Sequence, residues 1–187
     1  MTVLTEGTLQ LKLPHGVEGR KFDGDAHGLS HCMKAVDFVV ELPDRIIFIE
    51  FKDPDHPFSK PKDRQKFIQN FMSGDLDVDL VYKYRDSFLY LWAWKDVKKP
   101  VHYLVLIAMR SLTAAELLIR TDELKRKLPL NGPESGMWQR PIVNECGVFN
   151  IETWNKQLPD YPVTRIIREG SGSLAGDTRK QSDGKPG

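Results

Sequence analysis

Two stretches of the chain have the residue pattern of a buried strand pair. Residues 35–42 read A-V-D-F-V-V-E-L and residues 45–52 read R-I-I-F-I-E-F-K, both rich in β-branched and aromatic side chains. Between them Pro43 and Asp44 are turn formers, so the two runs are expected to fold back as an antiparallel hairpin. A strand is also expected at 8–13, followed by a Gly-, His- and Asp-containing loop to residue 30. After Lys52, the run Asp53-Pro-Asp-His-Pro57 cannot continue a ladder, and a basic helix is expected at 62–72.

Leu80, Val81, Tyr84, Phe88, Leu91 and Trp92 recur at helical spacing, which predicts a second helix packed on the sheet. The aromatic run 88–94 offers a competing strand reading. The continuous apolar run at 101–109 predicts a buried strand. Thr113 and Glu116 have capping-box spacing, in which each side chain serves the other's free amide, and they open a helix to Lys127. Beyond a Gly/Pro loop at 129–141, a short strand near Val148, a helix at 152–158 and a strand at 163–167 are expected.

A loop of two or four residues centred on Pro43 and Asp44 makes paired positions sum to 87. Asp37 then faces Glu50, and strand alternation puts Asp37, Glu50 and Lys52 on one face at one end of the hairpin. Like charges directly opposite one another are destabilising unless a positive group intervenes, and here Lys52 or a divalent cation could supply it. Mg²⁺ suits one or two carboxylates and completes its shell with water and phosphate oxygens. The chemistry this suggests is phosphodiester hydrolysis. The same groups could instead form an ordinary cross-strand charge cluster.

Val36-Asp37, a gap of twelve residues, and Glu50-Phe51-Lys52 resemble the signature of the PD-(D/E)XK, or restriction-endonuclease-like, nucleases. The resemblance implies an α/β fold with a restriction-endonuclease-like mixed central β-sheet flanked by helices. It also implies metal ligation by Asp37, Glu50 and the backbone oxygen of Phe51, Mg²⁺ or Mn²⁺ as cofactor, and Lys52 as the water-activating group. Nucleic acid would be the substrate, DNA before RNA, and a homodimer or larger nuclease complex is conceivable. Val36 stands where the family's proline would be. Many members draw a further acid from an N-terminal helix, but no helix is evident before Ala35, which leaves Glu18, Asp23 and Asp25 as candidates. A protein of the same fold that binds or scaffolds without catalysis is the alternative.

The 187 residues, 40% of them hydrophobic, suit one domain, assigned to 1–169, with a Gly/Ser-rich disordered tail at 170–187. Net charge is only +1, which excludes a protein that coats nucleic acid by bulk charge. The average conceals a division. Residues 1–59 hold 6 basic and 10 acidic side chains, whereas 60–169 hold 18 and 14. Lys60, Lys62, Arg64 and Lys66 form a local basic group suited to phosphate contacts. Cys32 and Cys146 belong to no C-x-x-C, so neither a zinc site nor a disulfide framework is expected. With no secretory signal pattern and no apolar run near 20 residues, a cytoplasmic protein without membrane association is expected.

Overall fold

A computed structural model of the chain describes residues 1–24, 27–95 and 97–166. Its centre is a mixed sheet of five strands in the order β3-β4-β5-β6-β7. β3 (Glu18–Lys21), β4 (Phe38–Glu41) and β5 (Ile46–Lys52) form an antiparallel meander, and β6 (Val101–Ile107) and β7 (Glu145–Phe149) continue parallel to β5. β1 (Val3–Glu6), β2 (Leu9–Lys12) and β8 (Val163–Arg165) make a separate three-stranded antiparallel sheet.

The β4-β5 hairpin has the expected register, with Phe38 opposite Ile49 and Val39 opposite Phe48. Its two-residue loop is closed by the Leu42 N–H donating to the Arg45 carbonyl at 2.9 Å. The regular ladder of β4 begins at Phe38, so Asp37 lies immediately before it. It remains within the sheet's hydrogen bonding, because the Phe22 N–H donates to its carbonyl at 2.7 Å.

Two long helices make the crossover from β5 to β6. α1 (Pro61–Ser73) begins on a proline, where the missing N–H costs nothing, and ends at Gly74. That glycine has φ 85°, the left-handed conformation that lets α2 (Asp75–Trp94) start at once in a new direction. Helical periodicity prevails over the aromatic strand signal of 88–94. Leu76, Leu80, Tyr84, Ser87 and Leu91 fall on one buried face, and that packing outweighs local β-propensity. α3 (Ala114–Lys127) has the Thr113–Glu116 capping box, with both reciprocal bonds formed. α4 (Ile151–Gln157) completes the chain's helices among the described residues.

Strand alternation separates two cores. Val39, Phe48, Tyr103 and Val105 face α2 and α3, together with Phe71 of α1. Phe38, Val40, Ile47, Ile49 and Phe51 face the other way, against Leu4, Leu9 and Leu11 of the small sheet and Trp154 of α4. The central sheet is therefore covered on both sides, as its nearly continuous apolar strands require.

One feature differs from the expectations. β1 and β3 were not foreseen, because four-residue strands with mixed polarity carry little pattern; β3 reads Glu-Gly-Arg-Lys. The strand expected at 163–167 is found at Val163–Arg165 and pairs with β2 in the small sheet. Segment 170–187 lies outside the described residues. Among the described residues no helix is long and apolar enough to cross a membrane.

Buried charge fixes the helices to one another. Asp77, fully buried on α2, accepts from Arg120 of α3 at 2.8 Å and from Lys127 at 2.7 Å, and Arg120 also donates to the Phe71 carbonyl of α1. Removing one member leaves uncompensated buried charge. Arg120→Ala is expected to lower stability by on the order of 3 kcal/mol in urea unfolding, and the Asp77→Ala/Arg120→Ala double variant by less than the sum of the single losses.

Candidate metal centre

The hairpin and α2 build the site together. Val36 is pinned to α2 by its N–H, which donates to Ser87 Oγ at 2.9 Å, and the Lys34 N–H donates to Asp86 Oδ2 at 2.8 Å. Asp37 therefore enters the sheet at a fixed height. One of its oxygens, Oδ2, accepts the Phe51 N–H at 2.6 Å. Glu50, on the adjacent strand and the same face, is completely buried.

The structure brings Asp37, Glu50 and Lys52 together as the register implies and adds two groups from α2. Glu50 Oε1 forms an ion pair with Lys52 Nζ at 2.9 Å and accepts from Lys83 Nζ at 2.6 Å. Lys83 also lies 3.5 Å from Asp37 Oδ1. Asp79, one helical turn before Lys83, lies 3.4 Å from Lys52 Nζ and 2.5 Å from Lys34 Nζ. Sequence reasoning missed Lys83 and Asp79. Their signal was the presence of charge beside the apolar face of a helix, where Leu80 and Tyr84 are buried.

Among the further acids, Glu18 is exposed on β3 opposite Glu41, at the far end of the strand pair. Asp25 lies outside the described residues. Asp23 does approach Asp37, joined by Glu6 from β1. Ligand oxygens of Glu6, Asp23 and Asp37 all lie within 4.8 Å of one another. Glu6 is separated from Asp37 by thirty residues and two strands, and nothing in its local sequence distinguishes it. Lys21 partly neutralises this outer pair, at 2.6 Å from Glu6 and 3.7 Å from Asp23.

The electrostatics follow from burial. Asp37 is pushed up from the ordinary 3.8 to about 7, first by desolvation and then by the charge of Glu50, against the opposing pull of Lys83 and the Phe51 N–H. Burial alone would lower Lys83, but the charges of Glu50 and Asp37 outweigh it and raise the ammonium's pKa. Asp79 is held below the ordinary carboxylate range, because the bond from Lys34 and the charge of Lys52 overcome its desolvation.

These residues fit a divalent cation on two observations. Among the described residues Glu50 Oε2 is buried with no hydrogen-bond partner, a free ligand atom in a place where an unpaired oxygen is costly. Four carboxylates, Glu6, Asp23, Asp37 and Glu50, also face three ammonium groups, Lys21, Lys52 and Lys83, while Asp79 and Lys34 neutralise each other. A cavity of about 960 Å³ lies elsewhere, lined by Asp55, Met109, Arg110, Ile151 and Arg165 among others, and none of the three signature residues reaches it.

The basic group occupies the start of α1. Lys60 is the residue before the helix, and Lys62 and Lys66 are exposed on it. Arg64 is less free, since its Nε donates to Asp55 at 2.8 Å. Both cysteines are unpaired thiols, Cys32 exposed and Cys146 buried.

Comparison with family models, with curated proteins and with solved structures gives no match to this chain.

A pH dependence follows from Asp37. The folded state holds the proton up to about pH 7, whereas the unfolded chain releases it near 3.8. Over that interval the native state binds more protons, so stability falls as pH rises and the penalty is complete above about 7. Asp37→Asn is expected to unfold at higher urea than the parent at pH 8 in EDTA, by on the order of 1–3 kcal/mol, and to lose this advantage near pH 4. Equal differences at both pH values would contradict the assignment.

Proposed function

We propose that this chain is a metal-dependent nuclease of the PD-(D/E)XK kind, hydrolysing phosphodiester bonds in DNA, with RNA the less favoured substrate. The observation that carries this reading is the buried, partnerless oxygen of Glu50 beside Asp37, with Lys52 two residues further along the same strand. The topology adds support: an antiparallel meander, a helical crossover and a strand parallel to the third is the core order that the sequence resemblance implies. The departure is at the N-terminal side. Where the family core starts with a helix, this chain has the β1-β2 hairpin, and Glu6 and Asp23 come from that hairpin and from the loop after β3.

Asp37, Glu50 and the backbone oxygen of Phe51 would hold Mg²⁺ or Mn²⁺, with Asp23 as the further acid. A divalent cation there supplies Lewis acidity to the phosphodiester and to the attacking water. Lys52 remains partly exposed while bonded to Glu50, so it can orient that water and stabilise negative charge as it develops. Lys83 holds the two carboxylates together, its ammonium bridging Glu50 and Asp37. Lys60, Lys62 and Lys66 offer positive charge to the nucleic-acid backbone without reading sequence. Cutting both strands of a duplex calls for two such centres, which a homodimer would supply.

One observation favours the alternative of a binding or scaffold protein without catalysis. Glu50 Oε1 already carries two ammonium groups, which partly do the neutralising that a cation would do. One cleavage experiment separates the two readings. Plasmid, linear duplex, single-stranded DNA and RNA are each incubated with Mg²⁺, with Mn²⁺ and with EDTA. Cutting is expected only with metal and is expected to fall at least about 100-fold in Asp37→Ala and in Lys52→Ala, with circular dichroism unchanged. Activity retained in EDTA or in both variants would remove the nuclease assignment. Lys62→Glu/Lys66→Glu is expected to weaken nucleic-acid affinity evenly across sequences and to flatten its salt dependence, read by fluorescence anisotropy.

A further inference from the structure

Outside the carboxylate cluster, α2 carries a cation-aromatic group with no role in the chemistry above. Two cations lie over the ring of Tyr82, Lys34 Nζ at 5.7 Å from its centroid and Arg85 Cζ at 5.9 Å. Tyr82 is 48% exposed and directly precedes Lys83. Lys34 links the ring to the site, since its Nζ also lies 2.5 Å from Asp79, whose other oxygen faces Lys52. The same arrangement recurs at the end of the helix. Trp94 is 61% exposed, with Arg20 Cζ at 4.7 Å and Lys95 Nζ at 5.6 Å. Twelve residues of helix separate the two rings, about 18 Å along the axis.

We propose that Tyr82, with Lys34 and Arg85, is a stacking point for an unpaired base, so that the strand to be cut reaches the site as a single strand or a frayed end. The inference rests on the nuclease reading of the adjacent carboxylates and narrows its substrate. Every base presents a π-face, but only an unpaired one can leave its own stack to use an aromatic side chain. At 5.7 and 5.9 Å both cations lie over the ring at the outer limit of cation-π contact, a weak hold from which a base can displace them. Arg85 is the charge available to a phosphate beside a stacked base, since Lys34 is already held by Asp79.

A second copy of the chain is the competing occupant, because Val78, Leu89 and Trp92 continue an exposed row on α2. Arg85 argues against it. It has no carboxylate partner among the described residues, and an apolar helix contact would bury that charge uncompensated, whereas a phosphate would pair with it.

The test is binding in EDTA, where no cutting intervenes. Fluorescence anisotropy compares a labelled oligothymidylate with a duplex of equal length. Tyr82→Ala is expected to weaken single-strand affinity about 5- to 100-fold while changing duplex affinity less than about twofold, and Tyr82→Phe to restore it. Arg85→Gln is expected to reduce the salt slope by about 0.7, and Lys34→Gln, whose ammonium Asp79 already holds, by less. Unchanged single-strand affinity in Tyr82→Ala, or an equal loss on duplex, overturns the proposal. So does a concentration-dependent dimer in sedimentation that Tyr82→Ala dissolves. Binding of this pattern without metal-dependent cleavage would keep the stacking point and dismiss the nuclease, and cleavage indifferent to Tyr82 would do the reverse.

Discussion

Two carboxylates placed side by side in a sheet interior cannot both be charged, dry and unaccompanied, and the architecture follows from that constraint. Asp37 and Glu50 occupy adjacent strands on one face, and Glu50 is wholly buried. At such separations in a poorly solvated place, mutual repulsion and lost hydration together outweigh what a single surface lysine could return. The chain responds in two ways. Two ammonium groups converge on one oxygen of Glu50, and Asp37 retains a proton to near neutrality. The arrangement is tense because it leaves the second oxygen of Glu50 with no partner.

That solution depends on the placement of α2. Lys83 reaches Glu50 only if the helix has one height and one rotation relative to the sheet, and several polar contacts determine both. Ser87 holds Val36, Asp86 holds Lys34, and the Tyr103 hydroxyl of β6 donates to the Leu80 carbonyl at 3.2 Å. Gly74 lets the helix begin abruptly after α1, and the Asp77, Arg120 and Lys127 network fastens its start to α3. A strand ladder alone places the acids, but a buried helix face places their counter-charges.

This division explains what was legible in the sequence. The β4-β5 register could be read because a Pro-Asp turn between two dense apolar runs fixes pairing, and side-chain alternation then leaves no freedom for Asp37, Glu50 and Lys52. The α3 cap was legible for a similar reason, since it depends on two residues at fixed spacing. Lys83 and Asp79 were not legible as site residues, because helical periodicity gives the buried face but not where along the sheet that face docks. Glu6 was hidden further still. Its proximity to Asp37 depends on the small sheet closing over the meander, a long-range contact that no local pattern encodes. The strands β1 and β3 escaped notice because they are short and polar, and pairing rather than propensity makes them strands.

Charge balance links these features to the proposed chemistry. Across the whole chain the net charge is +1, which taken as an average argues against a polyanionic partner. Locally the opposite holds. Among the described residues, and above about pH 7 where Asp37 is ionised, the carboxylates at one end of the meander carry one negative charge in excess over their ammonium partners, and the exposed lysines of α1 lie just after the strand that ends at Lys52. Under the nuclease reading, a divalent cation alone would turn that excess of one negative charge into an excess of one positive. A phosphodiester, which carries a single negative charge, would then restore neutrality. Cation and substrate are thus each better accommodated in the presence of the other, most strongly at the buried carboxylates Asp37 and Glu50. Either one bound alone leaves an uncompensated charge beside Glu50.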